Sequence, residues 1–458
     1  MSNNPFQKFA FERILAYLQK DPEKHLPQLM EAVDRFAGEG PDSFPTQRAV
    51  FRGIVNDPSS NWYQLILRVI RDTDPAVLNK IFYNFFLNAN LIGWKKQEEV
   101  RRNHHCNAPW AILLDPTSAC NLHCTGCWAA EYGDRLNLSL EEIDGIITQG
   151  KELGVYLYIY TGGEPLVRKA DLIRLCEKHD DCVFLSFTNA TLIDEAFADE
   201  MLRVKNFIPA ISVEGFEAAT DGRRGEGTFR KVTRAMELLQ KKKLPFGISC
   251  CYTSQNFDDI TSEAYYDQMI RWGAAFVWYF HYMPVGADAV TALLPTPQQR
   301  EYIYHKIREY RRTKAIFGMD FQNDGEFVGG CIAGGRRYLH INANGDADPC
   351  VFIHYSDSNI REKTLLEALC SPLFMAYHDG QPFNENHLRP CPMLENPEKL
   401  REMVHKSGAH PSDVTALEDV DDLCAKCDSY AENWAPTAEH LWDCSHNCAT
   451  CGKVAVGK

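Results

Sequence analysis

Three cysteines, Cys120, Cys124 and Cys127, fall within eight residues at C-x₃-C-x₂-C, directly after the apolar run "WAILLD". Two thiols would suit a disulfide, but three at this spacing read as metal ligands. Polar or small residues also follow four of the five later strand-like runs. They are Thr161, Gly162, Gly163, Glu164 and Pro165, then Thr188 and Asn189, then Ser212, Val213, Glu214 and Gly215, and last His281, Tyr282 and Met283. An isolated Thr-Asn pair is usually only a turn or a cap. The recurrence of such groups at successive strand ends points to one shared mouth.

The elements that must position them alternate regularly. "WAILLD", "YLYIYTGG", "CVFLSFTN", "FIPAISVEG", "PFGISCCYT" and "AFVWYFHYMPVG" are each followed by a helical pattern. Ser139 with Glu142 predicts a capping box, and Thr296, Pro297 and Gln299 predict a second helix start. Six strand-helix units imply parallel strands with helical crossovers, in an open or partial barrel whose reactive residues lie at the C-terminal strand ends. Before Trp110 the texture is helical and free of cysteine in the stretch up to His105, with apolar positions at helical spacing. Nine of the seventeen cysteines lie after about residue 320.

Composition narrows the function classes. The 458 residues are 45% apolar and carry a formal charge of −14. Such a chain buries a large core in two or three domains, and its overall charge argues against a nucleic-acid binder. No signal peptide or eighteen-residue apolar span is evident, so a cytoplasmic location is expected. Seventeen cysteines in a reducing compartment point to metal or catalysis rather than to disulfides.

Cys120, Cys124 and Cys127, with Gly162, Gly163, Glu164 and Pro165 one strand later, resemble the radical SAM superfamily. The resemblance implies a 4Fe-4S cluster held by three thiolates, its fourth iron left open to S-adenosylmethionine. Zinc would normally take a fourth protein ligand. It further implies that Glu164 and the backbone of Gly162 and Gly163 bind the methionine amino group, and that Asn189, Ser212 and Glu214 contact the ribose or carboxylate. One-electron reduction, for which flavodoxin or ferredoxin is the expected donor, would give an adenosyl radical that abstracts hydrogen. Two positions depart from the family pattern: Glu214 replaces a common aspartate, and Gly126 replaces an aromatic residue, with Trp128 following the third cysteine instead.

The C-terminal part resembles the SPASM extension of such enzymes, through Cys331, Gly345, Cys350, Cys391, Cys424 and Cys427. Asn433 stands where a further cysteine is expected, which favours one auxiliary 4Fe-4S cluster, with Cys331, Cys350, Cys391 and Cys427 as ligands and Cys424 as competitor for the last place. Cys444, Cys448 and Cys451 repeat C-x₃-C-x₂-C and imply a further cluster, a mononuclear iron or zinc site, or free thiols. Cys176, Cys182, Cys250, Cys251 and Cys370 read as core cysteines.

The expected fold is therefore α/β: a helical N-terminal domain (1–105), a partial (β/α)₆ radical SAM barrel (106–320), and a Cys-rich SPASM-like domain with its tail (321–458). Over most of its length the chain looks similar to the tetraether-lipid synthases and related bacterial enzymes that join acyl chains tail to tail. That resemblance implies a lipid substrate, two radical events, and an auxiliary cluster sulfur or thiolate that holds the first alkyl group. The apolar faces of "FQKFAFERILAYLQK" and "IFYNFFLNANLIGW" would suit a membrane surface, and core packing explains them as well. Two rivals stand: a peptide-maturing enzyme of the same superfamily, and a non-catalytic iron-sulfur scaffold, which leaves Gly162-Gly163-Glu164 unexplained.

Overall fold

The computed structural model describes residues 5–36 and 45–446; Cys448 and Cys451 lie outside them. Six parallel strands form where the alternation places them: β1 (Ala111–Leu114), β2 (Leu157–Tyr160), β3 (Val183–Thr188), β4 (Phe207–Ser212), β5 (Gly247–Tyr252) and β6 (Phe276–His281). The sheet continues beyond six. β7 (Phe317–Asp320) pairs in parallel with β6, while β8 (Tyr338–Ile341) pairs in parallel with β1 at the other side and carries β9 (Ala347–Asp348) on its edge. The order is therefore β7-β6-β5-β4-β3-β2-β1-β8-β9. β7 and β8 have four residues each and lie outside the six strand-then-helix units read from the sequence.

The crossover helices cover the outer face. Their apolar stripes, such as Ile143, Ile146 and Ile147 or Val232, Met236 and Leu239, join outward-facing strand residues in one core. Both predicted caps form: Ser139 and Glu142 exchange bonds at the start of Leu140–Glu152, and Thr296 with Gln299 does so before Pro297–Thr313. A cap of this kind contributes about 1 kcal/mol.

The N-terminal helices bury Leu15, Leu18, Leu26, Met30, Val55, Tyr63 and Leu67 among themselves, while Ile14 and Tyr17 stay exposed. A π-helix, Tyr83–Gly93, docks this layer on the barrel: the amide of Asn84 donates to the carbonyls of Asp180 and Cys182 at 2.8 Å. At Gly93 a Cβ would lie 2.3 Å from the Gly154 carbonyl, so only glycine permits that approach. Among the described residues no helix is long and apolar enough to cross a membrane.

Candidate active site

The cysteine loop leaves β1 and lies directly along the loop that leaves β2. Gly163 and Glu164 donate their N–H groups to the carbonyls of Thr117 and Ala119, at 3.0 and 2.9 Å. A Cβ on Gly163 would meet the Ala119 carbonyl at 2.3 Å, and Gly162 adopts φ +98° against Asp115. The paired glycines are therefore required for the two loops to touch. Gly126 has the same kind of reason. At φ +65°, it faces the ring of Tyr282, which a Cβ would strike at 2.7 Å. Tyr282 thus fills the space beside the third cysteine.

Two of the thiols have polar neighbours. Cys120 Sγ accepts the N–H of Leu122 at 3.5 Å, and the Arg224 guanidinium lies 3.9 Å from Cys124 Sγ. Burial pushes the Cys120 thiol up to about 11 and raises Cys124 as well. Metal binding by Cys120 and Cys124 would therefore release protons.

Glu164 is 1% exposed and burial raises its carboxyl, yet it accepts three bonds: from Leu166 N at 3.0 Å, Thr188 Oγ1 at 2.6 Å and Asn189 N at 2.7 Å. It ties the β2 loop to the end of β3. Asn189 extends the tie to the cysteine loop through Asn121, at 2.8 Å. Glu164→Ala would leave two backbone donors buried without acceptors, at about 1–3 kcal/mol each. We expect a fall in S-adenosylmethionine affinity of about tenfold or more, since one such donor is worth that factor. Equilibrium dialysis reads it directly, and an unchanged affinity would remove Glu164 from the site.

Cys120, Cys124, Cys127, Gly162, Gly163, Glu164, Asn189 and Ser212 all line one chamber of about 220 Å³. Glu214 does not line it. Its buried carboxylate lies behind the wall, bonded to Arg223 at 2.7 Å, to Arg224 at 2.9 Å and to Cys251 N at 3.1 Å. Burial opposes its charge, but the two guanidinium groups outweigh that and hold its carboxyl below the usual range. The arginines themselves face the chamber, and Arg223 also clasps the cysteine loop by donating to Thr125 O at 3.2 Å. Neither arginine was singled out by spacing or strand-end position. Cys251 also corrects an expectation. It lines the chamber rather than the core, because Cys250 and Cys251 are adjacent on β5 and must face opposite sides of the sheet. Cys370 is exposed at the end of a short helix, Leu365–Leu369.

The rest of the chamber is mainly apolar, with Trp128, Phe187, Trp278, Phe280 and Phe352 prominent beside Thr161, Thr188, Ser249, His281 and Arg337. Trp278, Met283, Phe321, Ile332, Tyr338 and Phe352 also line a second cavity of about 410 Å³. Three of the late cysteines, Cys331, Cys350 and Cys391, open onto that second cavity. Backbone N–H groups reach two of these sulfurs: Phe352 donates to Cys350 at 3.5 Å, and Met393 and Leu394 donate to Cys391 at 3.4 Å. The buried Tyr377 hydroxyl beside them has no partner. Cys424 and Cys427 are fully buried on the helix Val420–His446 and do not line the cavity; Cys444 is on that helix's last turn. Among the described residues no three His, Cys, Asp or Glu side chains close around a single ion.

Behind Gly162 lies a buried charge network. His340 on β8 stands 3.0 Å from Asp115, at the end of β1, and 3.2 Å from Asp348 on β9. Burial works against a charged ring, but the carboxylates outweigh it and push the pKa up to about 9. The folded value exceeds the unfolded one near 6.5, so the stabilisation is whole below pH 6.5 and is lost as pH rises through 9. The expected loss is on the order of 3 kcal/mol. Thermal melts between pH 6 and 10 should show it, and His340→Gln should flatten the profile; an equally steep variant would exclude the ring.

With this geometry in view, residues 114–262 match the model of the Radical SAM superfamily. The middle of this chain carries a radical SAM domain. The chain is 25% identical over 291 residues to the AdoMet-dependent heme synthase of Methanosarcina barkeri, spanning 57% of this chain and 82% of that one. It is 27% identical over 256 residues to the PqqA peptide cyclase of Granulibacter bethesdensis, spanning 53% and 67%. Its fold is that of Streptococcus suis SuiB, solved bound to S-adenosylmethionine, with a TM-score of 0.53 at 18% identity over 70% of this chain and 84% of that one. The superfamily implies S-adenosylmethionine and a 4Fe-4S cluster. The donor set fits that pair: three thiols, a glycine cradle that a Cβ would fill, and two guanidinium groups open on one chamber.

Proposed function

We propose that the enzyme removes hydrogen from an apolar segment of its substrate and joins lipid acyl chains end to end. The observation that carries this reading is the apolar aromatic chamber beside Cys120, Cys124 and Cys127, which shares its wall with the cavity of Cys331, Cys350 and Cys391. When bound, the cluster and S-adenosylmethionine supply a carbon-centred radical able to attack an unactivated C–H bond. The three cysteines would hold the cluster. The Gly162-Gly163 backbone, Asn189 and Ser212 would seat the cofactor, with Glu164 fixing the loops that carry them. Arg223 and Arg224 place positive charge where thiolates and a carboxylate must be accommodated. The aromatic wall excludes water and orients the substrate carbon.

Cys331, Cys350 and Cys391 would hold one auxiliary cluster, with Cys427 or Cys424 as fourth ligand. Flavodoxin or ferredoxin remains the proposed reductant, and peripheral association with a membrane would bring the lipid within reach. The test is mass spectrometry of total hydrolysed lipid from an anaerobic host expressing the enzyme, beside a Cys124→Ala control. Dicarboxylic chains of doubled length in the active strain alone would establish coupling. Unchanged lipids, with purified enzyme still forming deoxyadenosine, would transfer the radical chemistry to another substrate. A peptide is the second reading, favoured by the fold likeness to SuiB, which has also been solved with its precursor peptide SuiA.

A further inference from the structure

Arg300 and Glu395 form an ion pair at 2.7 Å in which neither side chain is exposed at all. Such a pair is a poor source of net stability, so what it contributes is geometry. Arg300 lies on the helix Pro297–Thr313, its guanidinium stacked 4.1 Å over Trp434 and donating to Asn323 Oδ1 at 2.9 Å. It also donates to the Tyr430 hydroxyl at 3.4 Å. Tyr430 lies 2.6 Å from His281 Nε2, and His281 Nδ1 lies 2.5 Å from the Tyr282 carbonyl. A carbonyl can only accept, so Nδ1 carries the proton, Nε2 carries the lone pair, and Tyr430 is the donor. At the other end, Glu395 accepts the backbone N–H of Cys391 at 2.8 Å.

The two ends belong to different cavities. His281 lines the chamber of Cys120, Cys124 and Cys127, whereas Cys391 lines the second cavity with Cys331 and Cys350. His281, Tyr430, Arg300, Glu395 and the Cys391 amide thus make an unbroken polar path between them through an apolar layer. Its members come from the end of β6, two helices and the loop before Pro397–Ser407.

We propose that Arg300 and Glu395 are positioning residues for both cavities at once, so that the setting of the Cys391 loop fixes the His281 wall of the reaction chamber. A ligand held by the late cysteines then shapes the chamber in which hydrogen is abstracted, and a substrate pressing on His281 is felt at Cys391 in return. The functional sense of this coupling rests on the reading of Cys331, Cys350 and Cys391 as ligands; the coupling itself does not.

Hydrogen exchange read by mass spectrometry on the anaerobically isolated full chain tests it without turnover, so its outcome is independent of which substrate is used. Tyr430→Phe removes one hydroxyl and keeps the ring. Exchange should rise about fivefold, the equivalent of one lost hydrogen bond, in both 281–286 and 390–396. Glu395→Gln keeps an acceptor for Cys391 while removing the charge, and should loosen 281–286. Arg401→Gln breaks contacts to Asp428 on the same helix but outside the path, and should move neither segment. If Tyr430→Phe loosens only its own helix, or loosens 281–286 while 390–396 stays as protected as before, the proposal is overturned. Should Tyr430→Phe fail to fold, Glu395→Gln decides alone: unchanged exchange at 281–286 would equally overturn it.

Discussion

Cys124→Ala will abolish the cleavage of S-adenosylmethionine to 5′-deoxyadenosine, by at least about a thousandfold, the scale on which removing one member of a concerted unit costs an enzyme. Cys124 lies between the other two thiols in the loop and is the one approached by a guanidinium, that of Arg224 at 3.9 Å. Two thiols and an alanine cannot hold three corners of a cluster. Iron content should fall by about four per chain, one cluster's worth, while iron bound at the late cysteines stays countable. Anaerobic product analysis by liquid chromatography, with iron measured on the same sample, checks both. Retained cleavage would remove Cys120, Cys124 and Cys127 from the centre of the mechanism.

Glu214→Ala should be as damaging although Glu214 never meets the chamber. Its carboxylate has no exposure, and its removal leaves the guanidinium groups of Arg223 and Arg224 without their counter-charge. Breaking a buried pair in this way costs about 3–5 kcal/mol. The loss should extend to the cysteine loop, because Arg223 accepts the Thr125 N–H through its carbonyl at 2.9 Å and returns a side-chain bond to Thr125 O. Chemical denaturation should show reduced stability, and reconstituted protein should take up less iron. Glu214→Gln, which retains acceptor capacity at one oxygen, should fall between. A stable Glu214→Ala protein with full iron would mean that the arginines are held by something else.

How much of this was legible beforehand depends on the range of each interaction. The six strands were visible because short apolar runs alternating with helical patterns are local signals, and the caps because three residues suffice. The meeting of Cys120, Cys124 and Cys127 with Gly162-Gly163-Glu164 followed from the strand-end rule. Glu214 was misplaced for the opposite reason. Whether a carboxylate faces a chamber or turns to an arginine ten residues on is decided by packing, and no spacing encodes it. Cys251 was within reach of a simple argument, since two neighbouring residues on a strand face opposite sides of the sheet, and the helical cover of one face leaves the other for the chamber. The path from His281 to Cys391 joins five positions far apart in sequence, which no single-sequence pattern could have joined.

The position of β8 beside β1 sets an order of events in the life of the molecule. Residue 111 pairs with residue 338, and residue 114 with residue 341. On the ribosome the cysteine loop therefore emerges early, yet the strand that flanks its root on one side arrives only after the rest of the barrel has been made. Contacts of such long sequence separation form late and slowly. Until they do, Asp115 lacks His340 and the loop lacks one side of its frame, so a cluster held there would be expected to assemble on the finished chain.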